Sequence, residues 1–226
     1  STSLNVPRVI GLEVSGSMPD EATATDLALT VAEKLRAVGV VDCFVEVFGS
    51  GYSGLSVADR ATVANMSPEY GSTCVFCPTD ANTIRFLKET GRTPEHAAMV
   101  EAYNRTQGLW VEKPDSAIDY DEVIHLDLGS IRRSVAGPSR PEQRIDLDKA
   151  TGTLSLTGET GAARRVAVAG QDHDIGDGDV IIAAITSCTN TANPRNMVLA
   201  GLIARNAVNR GLAVKPHVKT SLSPGS

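Results

Sequence analysis

Apolar and polar residues alternate over residues 7–16, which is the pattern of a strand with one buried face. Two further apolar segments, residues 43–48 and 121–128, also predict strands. Between the first two, residues 23–39 repeat apolar side chains every three to four positions, with Thr25 or Asp26 at the start of the predicted helix and Gly39 just past its end. A strand, a helix and a strand in this order predict a β-α-β unit.

The same helical spacing recurs in four later segments. It predicts helices over residues 56–66, 79–91, 93–107 and 193–211. Thr79 or Asp80 is placed to cap the second of these helices, and Asn193 and Pro194 stand at the start of the last. Helices that alternate with strands are typical of an α/β fold.

The second half of the chain has a less regular pattern. Residues 134–143 combine Gly, two Pro and polar side chains, which is typical of a linker or a domain edge. Residues 147–170 are polar and glycine-rich with a weak hairpin pattern, whereas the apolar run 179–187 predicts a strand buried on both faces. A further strand is expected after residue 213. We therefore expect two domains, 1–133 and 134–226.

Composition narrows the classes of function. The 226 residues are 42% hydrophobic but only 4% aromatic, so the core must be mainly aliphatic, which suits α/β layers. A net charge of −6 argues against a broad nucleic-acid surface. No run reaches membrane-spanning length, and four unevenly spaced cysteines do not suit a secreted disulfide scaffold. We expect a soluble, cytoplasmic protein without a membrane partner.

A glycine-rich stretch follows the strand predicted over residues 43–48. Gly49, Gly51 and Gly54 match G-x-G-x-x-G, and Glu69 lies near the distance expected of a ribose-binding carboxylate. A dinucleotide site requires that carboxylate at the end of a second strand, whereas Glu69 follows Pro68 in NMSPEYGS. The glycines therefore predict a tight turn.

The cysteines suggest two kinds of chemistry. Cys74 and Cys77 form a C-x-x-C pair, but no second pair lies at ligand spacing, and their apolar surroundings favour small core residues over a functional pair. Cys188, in ITSCTNT, comes just after the apolar run and just before a capped helix, where backbone N–H groups stabilise a thiolate. This position favours a reactive or ligating cysteine.

Five segments resemble the aconitase family, in the family's order. They are PRVIGLEVSGSMPDEATATDLALTV, FVEVFGSGYSGLSVADRATVANMSPEYGSTC, RFLKETGRTPE, AGPSRPEQR and ITSCTNTANP with KPHVKTSLSPGS. The resemblance is to the aconitase A and iron-regulatory-protein-like branch, and it covers nearly the whole chain except about residues 146–178. It implies three-layer α/β/α domains with mostly parallel sheets.

The resemblance also implies an activity and its residues. The family interconverts citrate and isocitrate through cis-aconitate, using a 4Fe–4S cluster held by three cysteine thiolates. One open iron binds the substrate oxygen, because a Lewis acid stabilises the charge that develops as hydroxide leaves. Cys188 matches the first cluster cysteine, and Asn65 and Glu69 match the asparagine and glutamate beside the cluster and its bound water or hydroxide.

The chain departs from the family pattern in what it lacks. The other two cluster cysteines lie downstream of PGS in the family, and Cys74 and Cys77 are not that pair. The early Asp/His segments, the substrate-binding arginines and the catalytic serine are also missing. We expect an interior piece, the second domain and the start of the third, which is inactive alone and needs the remaining aconitase domains.

Several alternatives remain open at this point. Dehydratases of 2-methylcitrate or 2-methylisocitrate and homoaconitase belong to the same family. An RNA-binding, iron-responsive regulator is a second class, although the charge of the chain does not support it. A non-catalytic accessory protein is a third.

Overall fold

The computed structural model describes residues 5–111, 118–150, 164–186 and 193–223. The chain divides into two compact units, Ser1–Asp146 and Leu147–Ser226. The helices and strands of unit 1 are, in chain order, β1 (Val9–Ser15), α1 (Ala24–Val38), β2 (Phe44–Phe48), α2 (Val57–Asn65), α3 (Ser67–Tyr70), β3 (Cys74–Phe76), α4 (Ala81–Glu89), α5 (Pro94–Thr106), β4 (Glu122–Asp127), β5 (Ser134–Ala136) and β6 (Arg144–Asp146). Those of unit 2 are β7 (Arg165–Ala167), β8 (Asp174–Gly176), β9 (Ile182–Thr186), α6 (Pro194–Asn209) and β10 (Lys219–Ser223).

A parallel four-stranded sheet in the order β3-β2-β1-β4 forms the centre of unit 1. The period of two puts Ile10, Leu12 and Val14 on one face of β1, where each is at most 1% exposed. The core on this face is completed by side chains of neighbouring strands and of α1, α2 and α3. The predicted β-α-β unit is confirmed.

The caps of two helices refine the sequence predictions. Thr23, and not Thr25 or Asp26, is the N-cap of α1, and its hydroxyl accepts from the Asp26 N–H. Asp26 instead completes a capping box, because its carboxylate accepts from the Thr23 N–H at 2.8 Å. Asp80 caps α4, as one of the two predicted alternatives stated.

Residues 134–146, which include the stretch predicted as a linker, form an antiparallel hairpin of β5 and β6 within unit 1. The hairpin is joined to α1 by the Ser134 N–H, which donates to Asp26 at 2.8 Å, and by Arg144, which donates to Glu33 at 2.7 Å. The assignment of residues 1–133 and 134–226 to the second and third family domains stays a prediction.

Unit 2 contains an antiparallel hairpin of β7 and β8 and a parallel pair of β9 and β10. The prediction that the apolar run 179–187 is buried on both faces is wrong for the described residues, since Ile182 is 66% and Ile185 38% exposed. The reason is that β9 pairs with β10 alone in the part of the chain that the structure describes. Helix α6 begins after Asn193, the predicted cap.

The predicted fold class, α/β with mostly parallel sheets, is confirmed. In the described ranges, no helix combines the length and the hydropathy needed to cross a membrane.

Candidate functional site

The predicted site residues Asn65 and Glu69 lie on either side of the junction between α2 and α3. Asn65 is the last residue of α2 and is half-buried, whereas Glu69 lies in the single turn of α3 and is exposed. The Glu69 N–H donates to the Met66 carbonyl at 3.0 Å, which fixes the backbone between the two residues. An amide and a carboxylate thus stand four residues apart on a short stretch of hydrogen-bonded backbone.

Buried groups hold this junction against the core. Tyr70 is 0% exposed, and its hydroxyl donates to the Val63 carbonyl in α2 at 3.1 Å. The Ser67 hydroxyl donates to the Ala64 carbonyl at 2.5 Å. Gly71 ends α3 with a left-handed φ of 89°, the conformation that favours glycine. Because Tyr70 faces the core, its neighbour Glu69 faces solvent.

The junction lies at the amino ends of the central strands. The Asp42 N–H, just before β2, donates to the Gly71 carbonyl at 3.1 Å, and the Thr73 N–H donates to the Cys43 carbonyl at 2.9 Å. Helix α2 runs back from the carboxyl end of β2 to this edge, so its last residue, Asn65, arrives where β3 begins.

A buried ion pair fixes α2 near its other end. Arg60 Nη1 donates to Asp80 Oδ1 at 2.9 Å, and Nη2 donates to Oδ2 at 2.6 Å, so the pair is bidentate. The guanidinium also donates to the hydroxyl and the carbonyl of Tyr52 and lies 3.9 Å from its ring centroid. The Tyr52 hydroxyl in turn donates to the Pro78 carbonyl at 2.5 Å.

The ion pair determines the local protonation states. Burial would raise the pKa of the Asp80 carboxyl, but the hydrogen bonds and charge of Arg60, with hydrogen bonds from Thr83, outweigh burial and lower that pKa below its ordinary value. Burial raises the pKa of the Tyr52 hydroxyl despite the nearby Arg60 charge. Asp80 is therefore a carboxylate and Tyr52 a neutral hydrogen-bond donor at neutral pH.

Sequence reasoning missed Arg60 and Asp80 as a pair. The available signal is that Arg60 lies three residues before the buried Val63, on the core side of α2, and an arginine at such a position requires a partner. The partner is 20 residues away along the chain, and helical periodicity does not identify it.

The C-x-x-C cysteines have different surroundings. Cys77 is half-buried against the core, as expected, and burial raises the pKa of its thiol to about 11. Cys74 is exposed, so its predicted place in the core is wrong. The reason is that β3 is an edge strand, and Cys74 and Phe76 point away from the core face that Val75 joins.

The glycine motif forms a turn, as predicted. Gly49 has a φ of 108°, and a Cβ on it would collide with the Val14 carbonyl. A Cβ on Gly51 would lie 2.8 Å from Leu128 and 2.9 Å from the Gly16 carbonyl, whereas Gly54 has open space around it. The chain then passes through a 3₁₀ turn before Ser56 caps α2. Gly49 and Gly51 therefore allow the backbone to pass close to β1.

Cys188 lies outside the described residues. Among the residues that the structure describes, no three His, Cys, Asp or Glu side chains converge on a point where a metal ion could bind. Of the predicted site residues, the structure describes Asn65 and Glu69, at the α2–α3 junction.

The described residues form a mixed α/β protein with mostly parallel sheets. The glycine motif forms a turn and does not open a nucleotide-binding helix. The model of the aconitase family (aconitate hydratase) matches residues 1–226. The chain belongs to the aconitase family.

Individual relatives agree with the family match. The chain is 50% identical over 230 residues to aconitate hydratase A of Bradyrhizobium diazoefficiens, covering 99% of this chain and 25% of that protein. It is 48% identical to aconitate hydratase A of Rickettsia conorii, covering 98% of this chain and 26% of the relative. Phosphinomethylmalate isomerase of Streptomyces viridochromogenes is also 48% identical, with coverage of 99% and 26%. The chain thus spans about a quarter of the length of these relatives.

Proposed function

We propose that this chain forms part of an iron–sulfur hydro-lyase that interconverts citrate and isocitrate through cis-aconitate. The observation that carries the proposal is the α2–α3 junction, which presents Glu69 to solvent beside Asn65 on backbone fixed by buried Tyr70. The names of the aconitate hydratase relatives support the reaction type. Because the chain spans about a quarter of their length, the remaining aconitase domains are its partners in the proposal.

Family membership implies a 4Fe–4S cluster in the complete protein. We assign Cys188 as one of its three thiolate ligands, with the other two supplied by residues outside this chain. The described residues do not form a metal site by themselves, but an exposed carboxylate and an adjacent amide suit hydrogen bonding beside a cluster. When bound, the cluster supplies a Lewis acid for the oxygen that leaves the substrate.

The roles of Asn65 and Glu69 follow from their functional groups. The Glu69 carboxylate accepts hydrogen bonds through both oxygens, so it can orient a water molecule or hydroxide and take up its proton. The Asn65 side chain can donate through its amide nitrogen and accept through its carbonyl oxygen, so it can hold the same oxygen in one place. The short, hydrogen-bonded backbone between them keeps their spacing constant.

The choice of substrate stays open within this reaction class. The 48% identity to a phosphinomethylmalate isomerase supports the view that this region is compatible with more than one acid of the citrate type. Dehydration of 2-methylcitrate or 2-methylisocitrate and the homoaconitase reaction are the alternatives. The RNA-binding role and the accessory role stay predictions, as does the cytoplasmic location, which the free thiols of Cys43, Cys74 and Cys77 support.

The test uses the complete enzyme that carries this chain, supplied with cis-aconitate, citrate, isocitrate and 2-methylcitrate in turn. Glu69→Gln and Asn65→Ala should each lower kcat about 100-fold or more, because each removes a group that holds or moves the proton of the reacting oxygen. Glu89→Gln is the control, since Glu89 is also an exposed glutamate on a helix of unit 1. Its activity should equal that of the wild type. An enzyme with a full cluster complement that turns over none of these acids would contradict the proposal.

A further inference from the structure

Arg60 lies in α2, five residues before Asn65 and away from the α2–α3 junction. Its side chain is 4% exposed, and that of its partner Asp80 is 10% exposed. A charged pair this deeply buried is expensive to desolvate, and replacing such pairs with apolar side chains is often neutral or stabilising. Stability alone therefore does not account for the pair.

The geometry of the pair joins three segments of the chain. The planar guanidinium makes four hydrogen bonds, two to the Asp80 carboxylate at the start of α4 and two to Tyr52 in the turn after β2. A fork of donors in fixed directions specifies one position of α2 relative to both neighbours. A lysine ammonium carries the same charge but cannot reproduce that fork.

The rest of α2 transmits this position to the site. The helix is capped at Ser56 and continues without a break to Asn65, and Tyr70 and Ser67 then hydrogen-bond back to it from α3. A rotation or shift of α2 at Arg60 therefore moves Asn65 and Glu69 together.

We infer that Arg60, held by Asp80 and Tyr52, is the positioning residue for Asn65 and Glu69. The catalytic consequence rests on the proposed function, whereas the structural consequence does not. The two can accordingly be tested by separate measurements.

The structural measurement is backbone amide exchange in this chain. In Arg60→Lys, the amides of Glu69 and Gly71, which donate to Met66 and Ser67, should exchange about 10-fold faster relative to the Gly39 amide of α1. Arg144→Lys is the matched control, because Arg144 also binds two carboxylates in unit 1, those of Glu33 and Asp146, and the hydrogen bonds described for it go to Glu33, Ser134 and Asp146, which lie outside α2. It should leave the exchange ratio unchanged.

The kinetic measurement is a mutant cycle in the complete enzyme. Arg60→Lys should lower kcat about 10- to 100-fold with KM within about twofold, because a displaced group loses catalysis more than binding. Since Arg60 acts through Asn65 and Glu69, the variant Arg60→Lys/Asn65→Ala/Glu69→Gln should be within about twofold of Asn65→Ala/Glu69→Gln. A purely structural role would instead give multiplicative losses.

If Arg60→Lys does not fold, Tyr52→Phe gives the same test, because it removes one acceptor for Arg60 and keeps the ring. Tyr52→Phe should change the amide exchange and kcat in the same directions as Arg60→Lys, by smaller factors. Unchanged exchange at Glu69 and Gly71, or kcat losses that multiply, would overturn the inference. If the wild-type enzyme does not act on tricarboxylates, the proposed function fails, and the exchange experiment still decides whether Arg60 positions the junction.

Discussion

Arg60 and Asp80 form a buried ion pair in unit 1, in which each charge neutralises the other. Removing one partner of a buried pair leaves the other uncompensated, which costs more than the pair contributes. Asp80 also caps α4, so its carboxylate serves two contacts at once. The ionisation of this one carboxyl therefore couples pH to the packing of α2 and α4.

The Asp80–Arg60 pair predicts an acid dependence of stability. The folded-state pKa of Asp80 lies below its ordinary value of 3.8, so this contribution to the free energy of unfolding is fully present above pH 3.8. It is lost as the pH falls below 3.8 through the folded-state pKa. Asp80→Asn, which keeps a capping side chain, should lower the free energy of unfolding by about 3 kcal/mol at pH 7.

The check is urea unfolding of wild type and Asp80→Asn between pH 2 and pH 7. The difference in the free energy of unfolding between wild type and Asp80→Asn should stay constant down to about pH 4 and shrink at lower pH. Asp20→Asn, at an exposed aspartate, is the control and should follow the wild type throughout. A difference that does not change with pH would show that the carboxylate charge is not what Arg60 requires.

For single residues, the sequence predicts which side chains carry the chemistry better than it predicts what those side chains contact. Asn65 and Glu69 could be named from a motif, and the structure places them at the end of α2 and in α3. The Arg60–Asp80 contact depends on where α4 starts in space relative to α2, and no local pattern encodes that. Cys74 and Cys77 share one apolar stretch, yet strand direction exposes the first and partly buries the second.

The turn between β2 and α2 determines where Arg60 lies relative to Tyr52 and Asp80. Tyr52 lies in this turn, and Gly49 and Gly51 let the backbone pass close to β1 and to Leu128. Helix α2 starts only after the turn, at Ser56. The direction of α2, and so the place of the junction, follows from the turn.

Substitutions of Gly51 and Gly54 test whether a glycine of the G-x-G-x-x-G stretch is needed for close packing. Gly51→Ala should lower the free energy of unfolding by about 1–3 kcal/mol, because its Cβ would press on Leu128 and the Gly16 carbonyl. Gly54→Ala should change it by less than about 0.5 kcal/mol, since nothing lies within 4 Å of the added carbon. Thermal or urea unfolding measures both. Equal losses at the two sites would contradict the close-approach account.

Elements with their own periodicity were predictable, and short elements were not. The helices α1, α4 and α5 and the strands β1, β2 and β4 each carry a repeat long enough to be recognised. Strands β3, β5 and β6 span three residues each and exist because a neighbour supplies hydrogen bonds. Their sequences alone do not distinguish them from loops.

On the scale of the whole molecule, the two units differ in how well they cover their apolar residues. Unit 1 has a core of fully buried side chains, among them Leu27, Leu35 and Val45. In the described part of unit 2, β9 and α6 expose apolar side chains such as Ile182 and Val198. The sequence of β9 predicts burial, because an apolar run of this kind belongs in a sheet covered on both faces.

We propose that Cys188 binds a cluster beside Asn65 and Glu69 in the complete aconitase-type enzyme. The most direct measurement is anaerobic reconstitution of the complete protein with iron and sulfide, followed by its broad thiolate-to-iron absorbance at about 400 nm. We expect a cluster in the wild type and in Cys74→Ser and Cys77→Ser, and none in Cys188→Ser. A cluster that survives Cys188→Ser but is lost in Cys74→Ser or Cys77→Ser would overturn the assignment of Cys188.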